Sequence, residues 1–189
     1  MNTQEREHQL PRTTDVRHRF PLRIQVARVI WGIAFVLFYR PFAIRLFRKW
    51  RVLILRLFGA KVSWSATIHS NVKIWAPWNL EVGPFSCIGP EVDCYNQGKI
   101  VIGANSTISQ KVYLCASSHD YTSPSHPLTL NPISIGSRVW VAADAFVGPG
   151  VMIDDGVVVG ARAVVVKSLD SWKVFAGNPC KFVKERKFI

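Results

Sequence analysis

Five histidines, four cysteines and a scatter of carboxylates are the groups in this 189-residue chain that could move protons, attack carbonyls or ligate metals. His119 stands out among them. Ser117, Ser118, Asp120 and Tyr121 flank it, and it opens the longest irregular stretch of the chain. A neutral imidazole there can take a proton from a weak nucleophile at neutral pH. A lone histidine in a loop is more often an ordinary surface residue, so only its position argues for a role. His8 and His18 lie in a charged tail, His69 directly follows an inward-pointing isoleucine, and His126 shares the loop with His119. His119 and His126 are seven apart with no third ligand nearby, so no metal is expected. There is no P-loop and no G-x-S-x-G. Cys87, Cys94, Cys115 and Cys180 form no C-x-x-C pair, and no signal peptide precedes them. They read as reduced thiols of a cytoplasmic protein.

What must position His119 is a repeat of six. Val62, Ile68, Ile74; Val82, Ile88, Cys94; Ile102, Ile108, Leu114; Ile135, Val141, Val147; Ile153, Val159, Val165 are fifteen sixth positions, and all but Cys94 are aliphatic. Gly83, Gly89, Gly103, Gly136, Gly148 and Gly160 each follow such a position directly. A period of six is neither a helical face nor simple alternation. It is the mark of a hexapeptide β-helix, in which each short strand points one aliphatic side chain inward and turns a corner. Three hexads close a coil, so the pattern predicts about five stacked coils. Two residues are inserted after the Ile74 hexad, two after the Cys94 hexad and fifteen after the Leu114 hexad. All three insertions leave the prism along one edge, the usual binding side of a repeat protein. Trp172 to Pro179 reads as having left the period.

Charge divides the chain. Residues 1–58 carry twelve Lys/Arg against three Asp/Glu, and residues 59–189 twelve against nine. Residues 1–23 read as a disordered tail, residues 24–58 as a basic, apolar helical arm, and residues 59–189 as the β-helix with its C-terminal tail. Within the arm, Ile24 to Tyr39 predicts one helix, too short and too charged for a membrane span of about 20 residues. Pro41 interrupts it, and Phe42 to Phe58 predicts a second, ending near Gly59. Two readings of the arm stay open. It packs against the β-helix or a sister subunit, or it anchors the protein peripherally at the inner membrane face through Trp31, Trp50 and its basic residues. No nucleic-acid module accompanies the charge, and nucleic acid is not an expected partner.

The blocks "WRVLILRLFGAKV" (50–62), "APWNLEVG" (76–83), "LCASSHDY" (114–121), "ISIGSRVWVAADAFVGPGVMI" (133–153) and "VFAGNPCKFVKER" (174–186) resemble the hexapeptide-repeat acyltransferases. The resemblance is to the branch of galactoside and maltose O-acetyltransferases and to the O-acetyltransferases of colanic acid and related exopolysaccharide biosynthesis. It implies a mostly β fold, a left-handed parallel β-helix with a helical arm and a long loop after His119. It implies transfer of an acetyl group from acetyl-CoA to a sugar hydroxyl, with His119 as the base. Ala143 matches a position whose backbone N–H serves the oxyanion, Ala161 and Lys167 match positions lining the pantetheine arm, and Lys181 and Lys184 match basic positions near the CoA phosphates. Asp93, Asn96 and Gln97 match the acceptor loop, with fewer acidic groups than galactoside-type enzymes have. The resemblance also implies a homotrimer with the groove between neighbouring prisms, and a saccharide acceptor, either free or lipid-linked. A non-catalytic scaffold, or an acyltransferase with a non-sugar acceptor, stands as the alternative.

Overall fold

A computed structural model describes residues 20–187. The sixfold period folds as three flat parallel sheets around a triangular core. Sheet A stacks β1 (Lys61–Val62), β4 (Leu80–Val82), β7 (Ile100–Ile102), β12 (Ile133–Ile135) and β15 (Met152–Ile153). Sheet B stacks β2 (Thr67–Ile68), β5 (Cys87–Ile88), β8 (Thr107–Ile108), β13 (Trp140–Val141) and β16 (Val158–Val159), then β18 (Lys173–Ala176) and β19 (Lys181–Glu185). Sheet C stacks β3 (Lys73–Ile74), β6 (Asp93–Tyr95), β9 (Tyr113–Cys115), β14 (Phe146–Val147) and β17 (Val164–Val165). A hairpin of β10 (Ser117–His119) and β11 (Leu128–Leu130) stands apart.

All fifteen sixth positions are buried, and each coil lays its trio beneath the one before, so the core is a column of aliphatic layers. Registers run straight down it, Ile68 over Ile88 over Ile108 over Val141. The A–B corner shows why glycine follows the aliphatic residue there. A β-carbon on Gly83 would lie 2.7 Å from the Gly103 carbonyl carbon, and one on Gly103 would lie 2.6 Å from that of Gly136. Coils approach too closely for any side chain. Beside this stack, Ser86 Oγ donates to the Gly103 carbonyl, and Ser106 Oγ donates to the Gly136 carbonyl at 2.7 Å.

Two expectations need correction. The coils number nearer six than five. Leu169 bridges to Ile153, and Val174 and Phe175 pair with Val158 and Val159. Leu169 and Phe175 are themselves six apart and buried. Only the short corner from Val165 to Leu169 hid the continuing period.

The arm also differs in its parts. The first helix, α1 (Leu22–Ala34), opens into a wide π turn over Phe35–Tyr39, where Arg40 N–H donates to the Phe35 carbonyl. The extra residue in that turn keeps Trp31, Phe35 and Tyr39 on one face, with Phe35 and Tyr39 stacked at 5.3 Å. The second helix, α2 (Arg48–Leu57), begins six residues later than expected, after a 3-10 turn over Arg45–Phe47. Residues 42–44 do not join it: Ile44 is extended, with ψ 155°, and the Arg51 guanidinium donates to the carbonyls of Phe42 and Ile44. Val52 and Leu55 cap the open end of the core. Trp31 Nε1 donates to the Ile74 carbonyl at 2.8 Å, and Tyr39 Oη to that of His69 at 3.3 Å. One face of the arm is therefore the lid of the column. Of residues 1–23, read from the sequence as a disordered tail, residues 1–19 lie outside the described residues, and Leu22 and Arg23 already belong to α1.

Candidate active site

All three insertions leave at the C–A corner, between sheet C and sheet A, and the longest carries His119 into the β10–β11 hairpin. Its strands pair antiparallel, with His119 opposite Leu128. The loop returns through His126, whose backbone sits at φ 42°. That conformation turns the His126 carbonyl back toward the imidazole, and His119 Nδ1 meets it at 2.6 Å. A carbonyl oxygen only accepts, so the Nδ1–H donates. The neutral ring therefore carries its basic lone pair on Nε2. Asp120 braces the turn by accepting from Thr122 N–H at 2.9 Å and from its hydroxyl at 2.6 Å. Those two bonds hold the Asp120 carboxyl below the usual carboxylate range.

Ala143 and Ala161 lie on a different edge, the B–C corner, one coil apart. The Arg162 N–H donates to the Ala143 carbonyl at 2.9 Å, tying the two turns together. Below them Val164 N–H donates to the Gly177 carbonyl, and Cys180 N–H to that of Val164, which docks the tail on the same edge. Ala143's own N–H has no acceptor among the described residues and sits on a half-buried edge. Lys181 and Lys184 are exposed on β19 at the lower end of sheet B. Lys167 is exposed at the C–A corner, on the edge that carries His119. A single chain thus separates His119 from the Ala143 N–H by the full width of sheet C.

The acceptor residues named from the sequence divide. Asp93 lies on the outer face of sheet C, 3.7 Å from Lys73. Burial raises its carboxyl pKa and outweighs that long ion pair, which pulls the other way. Asn96 is not available to a ligand. It is fully buried, its Nδ2 donates to the Ala76 carbonyl at 2.5 Å, and its Oδ1 accepts from Ala76 N–H at 3.1 Å. It splints two coils where the inserted residues would otherwise leave backbone groups unpaired. Gln97 is half-buried and donates through Nε2 to Tyr95 Oη at 2.9 Å. Tyr95, Tyr113 and Phe146 form an aromatic column beside Asp93, with ring centroids 6.1 and 5.6 Å apart. No local motif displays that column, because Phe146 is in register with Tyr113 across adjacent coils whereas Tyr95 is in register with Cys115 and meets Tyr113 diagonally. Among the described residues no group of three or more His, Cys, Asp or Glu could hold a metal ion.

No protein-family model matches the chain. It is 49% identical over 138 residues to an Escherichia coli protein named as a colanic acid biosynthesis acetyltransferase, covering 73% of this chain and 76% of that one. It is 32% identical over 129 residues to the galactoside O-acetyltransferase of Escherichia coli, covering 65% of this chain and 56% of that one. A maltose O-acetyltransferase structure from Clostridium difficile superposes with a TM-score of 0.78 at 25% identity, over 89% of this chain and 90% of that one. A hexapeptide-repeat acetyltransferase from Vibrio cholerae, solved with acetyl coenzyme A, gives a TM-score of 0.74 over 90% of this chain and 94% of that one. At 20% identity that last likeness is one of fold.

Proposed function

The chain belongs to the hexapeptide-repeat acetyltransferase family, and from that membership we propose that it O-acetylates a sugar hydroxyl, with acetyl-CoA as donor, in exopolysaccharide biosynthesis. The observation that carries the reading is the Nδ1–H bond from His119 to the His126 carbonyl, which presets the tautomer a general base needs. Acetyl-CoA supplies an activated thioester. His119 Nε2 takes the proton of the attacking hydroxyl and returns it to the departing thiol sulfur. Ala143 N–H, which has no acceptor among the described residues, suits the oxygen that gains negative charge. Ala161, Lys167, Lys181 and Lys184 would hold the cofactor, the lysines by their charge. Asp93, beside Tyr95 and Tyr113, is the group offered to the sugar.

The two halves of this site lie on the two edges that bound sheet C. A closed ring of three prisms lets each copy offer one edge to each neighbour, with sheet C turned toward the axis. His119 of one copy then faces Ala143 of the next. This supports the homotrimer, since the site is incomplete without a second chain. The non-catalytic scaffold gives way, because the chain shares 49% identity with an acetyltransferase.

The test is His119→Ala, assayed by thiol release with acetyl-CoA and a panel of sugars and amino sugars. Turnover should fall by roughly 10²–10⁴-fold, while calorimetric affinity for CoA holds. Near-normal turnover on a verified acceptor would remove His119 from the chemistry.

A further inference from the structure

Where the arm meets the first coil, the two enclose a recess of about 510 Å³. Arg45, Arg48, Arg51, Ser65, Thr67 and His69 line it, with Ala43. Three guanidiniums thus converge on one cavity, and no carboxylate among the described residues forms an ion pair with any of them. Two are locked in place by neutral acceptors. Arg48 Nη1 donates to the carbonyls of Trp64 and Ala66 at 3.0 and 2.9 Å. Arg51, only 3% exposed, donates from Nε to the Ile68 carbonyl at 2.9 Å. Carbonyls orient a guanidinium and leave its charge uncompensated. A buried cation without a counter-ion is costly. The helix adds to the imbalance. No side chain caps α2, and no acidic residue stands in its first turn, where negative charge would be favoured. The charges here are the reverse of what a solvated helix start prefers, and a bound anion rights them.

Apolar surface surrounds the recess. Ile44 and Leu46, on either side of Arg45, are 61% and 81% exposed. The outer face of α1 and the π turn after it presents Val26, Val29, Ile30, Ile33, Val36 and Leu37 to solvent. Contrary to the expectation for Ile24 to Tyr39, the helical stretch starts two residues earlier, and Leu22–Tyr39 is by length and composition long and apolar enough to cross a membrane, with only 17% of it buried. Its inner face, however, is held to the first coil through Trp31 and Tyr39, so it is suited to lie along a bilayer rather than through it.

We propose that the Arg45–Arg48–Arg51–His69 recess binds the phosphate of an anionic lipid, docking the arm on a bilayer with Ile44, Leu46 and the outer face of α1 in the interface. Charge complementarity selects this occupant over a further copy of the chain, whose arm would bring more arginine to the same place. Ser65 lies at the A–B corner, Thr67 on sheet B and His69 at the start of the B–C corner, three coils above Ala143. The proposal does not depend on the acetyl-transfer reading.

The experiment is co-sedimentation of the full-length protein with phosphatidylglycerol vesicles and with phosphatidylcholine vesicles at low salt. Binding is expected to the first only, and to weaken as salt rises. Arg45→Gln should lower the partition coefficient by about five-fold per protomer. Lys49→Gln, in the first turn of α2 but outside the recess, should have a much smaller effect. Ile44→Ser/Leu46→Ser should weaken binding by roughly ten-fold or more. All three variants are checked for unchanged oligomeric state and circular dichroism. Equal losses for Arg45→Gln and Lys49→Gln would show diffuse attraction and overturn the site. Protein left in the supernatant with phosphatidylglycerol would overturn the docking. Saturable binding of inorganic pyrophosphate without vesicle binding would assign the recess to a soluble phosphate and overturn the lipid.

Discussion

Replacing Ala143 by proline removes one hydrogen atom's worth of chemistry with little else changed. Three features of the chain say the fold accepts it. The Ala143 N–H has no acceptor among the described residues, so no internal hydrogen bond is lost. The next residue, Asp144, sits at φ 59°, and Glu91 in the equivalent turn two coils above also sits at φ 59°. In that turn the residue matching Ala143 is already Pro90, whose carbonyl accepts from Lys111 N–H just as Ala143's accepts from Arg162 N–H. A proline at a compatible turn position stabilises by about 0.4–1 kcal/mol through the unfolded chain. The variant should therefore unfold at the same or a higher urea concentration than the parent. Turnover should behave oppositely. Removing one oxyanion donor costs about 10²–10³ in kcat, or about 2.7–4 kcal/mol of transition-state stabilisation. The assay pairs urea unfolding with steady-state thiol release and a CoA titration by calorimetry. A folded, CoA-binding Ala143→Pro protein that keeps more than a third of parental kcat would refute the assignment of this N–H.

Three further outcomes follow from the same geometry. Mixing unfolded Ala143→Pro and His119→Ala chains and refolding them together should restore activity, because some sites then join an intact His119 edge to an intact Ala143 edge. Random assembly gives about a quarter of sites, and no recovery would mean the two edges do not meet. Asn96→Ala should lower stability by about 2–6 kcal/mol, since it leaves two buried Ala76 backbone groups unpaired, with unfolding followed at fixed protein concentration. A raised KM for the sugar without lost stability would return Asn96 to the acceptor site. Lys99 and Lys61 hold the Glu81 carboxyl below its ordinary range at 2.8 and 3.1 Å. A depressed folded value contributes stability above the unfolded carboxylate pKa of about 4.3 and loses it as pH falls through the folded one. Urea midpoints of the parent and Glu81→Gln should therefore differ near neutrality and converge in acid.

Much of this was readable from residue spacing. A sixfold period leaves few packings, since the inward residue recurs too rarely for a strand that alternates and at the wrong angle for a helix. The breaks in that period located one edge, and His119 at the largest break was the chemically suggestive residue on it. The errors came where a residue's neighbours lie one coil away. Asn96 looked like a loop amide, yet it occupies the same buried corner position as Ala76 above and Ala116 below. Leu169 and Phe175 continued the period after a shortened corner. Arg45, Arg48 and Arg51 counted only among the basic residues of the arm, because nothing in their spacing tells that the first coil bends Ser65, Thr67 and His69 around them.

The straight registers also make the column a spacer. Adjacent coils sit about 4.8 Å apart, and the arm closes one end while the His119 hairpin leaves after the third coil. The His119 loop thus departs roughly 10–15 Å beneath the lid. In a ring of parallel prisms all three lids point the same way, so a flat surface meeting one meets all. An acceptor tethered at that surface would present its hydroxyls at graded heights, and only those near the third coil would reach the base. Coil number between lid and loop would then select which unit along a tethered saccharide is modified. Inserting one twenty-residue coil between Cys94 and Ile100 would move the reaction one step farther from the surface while leaving its chemistry alone.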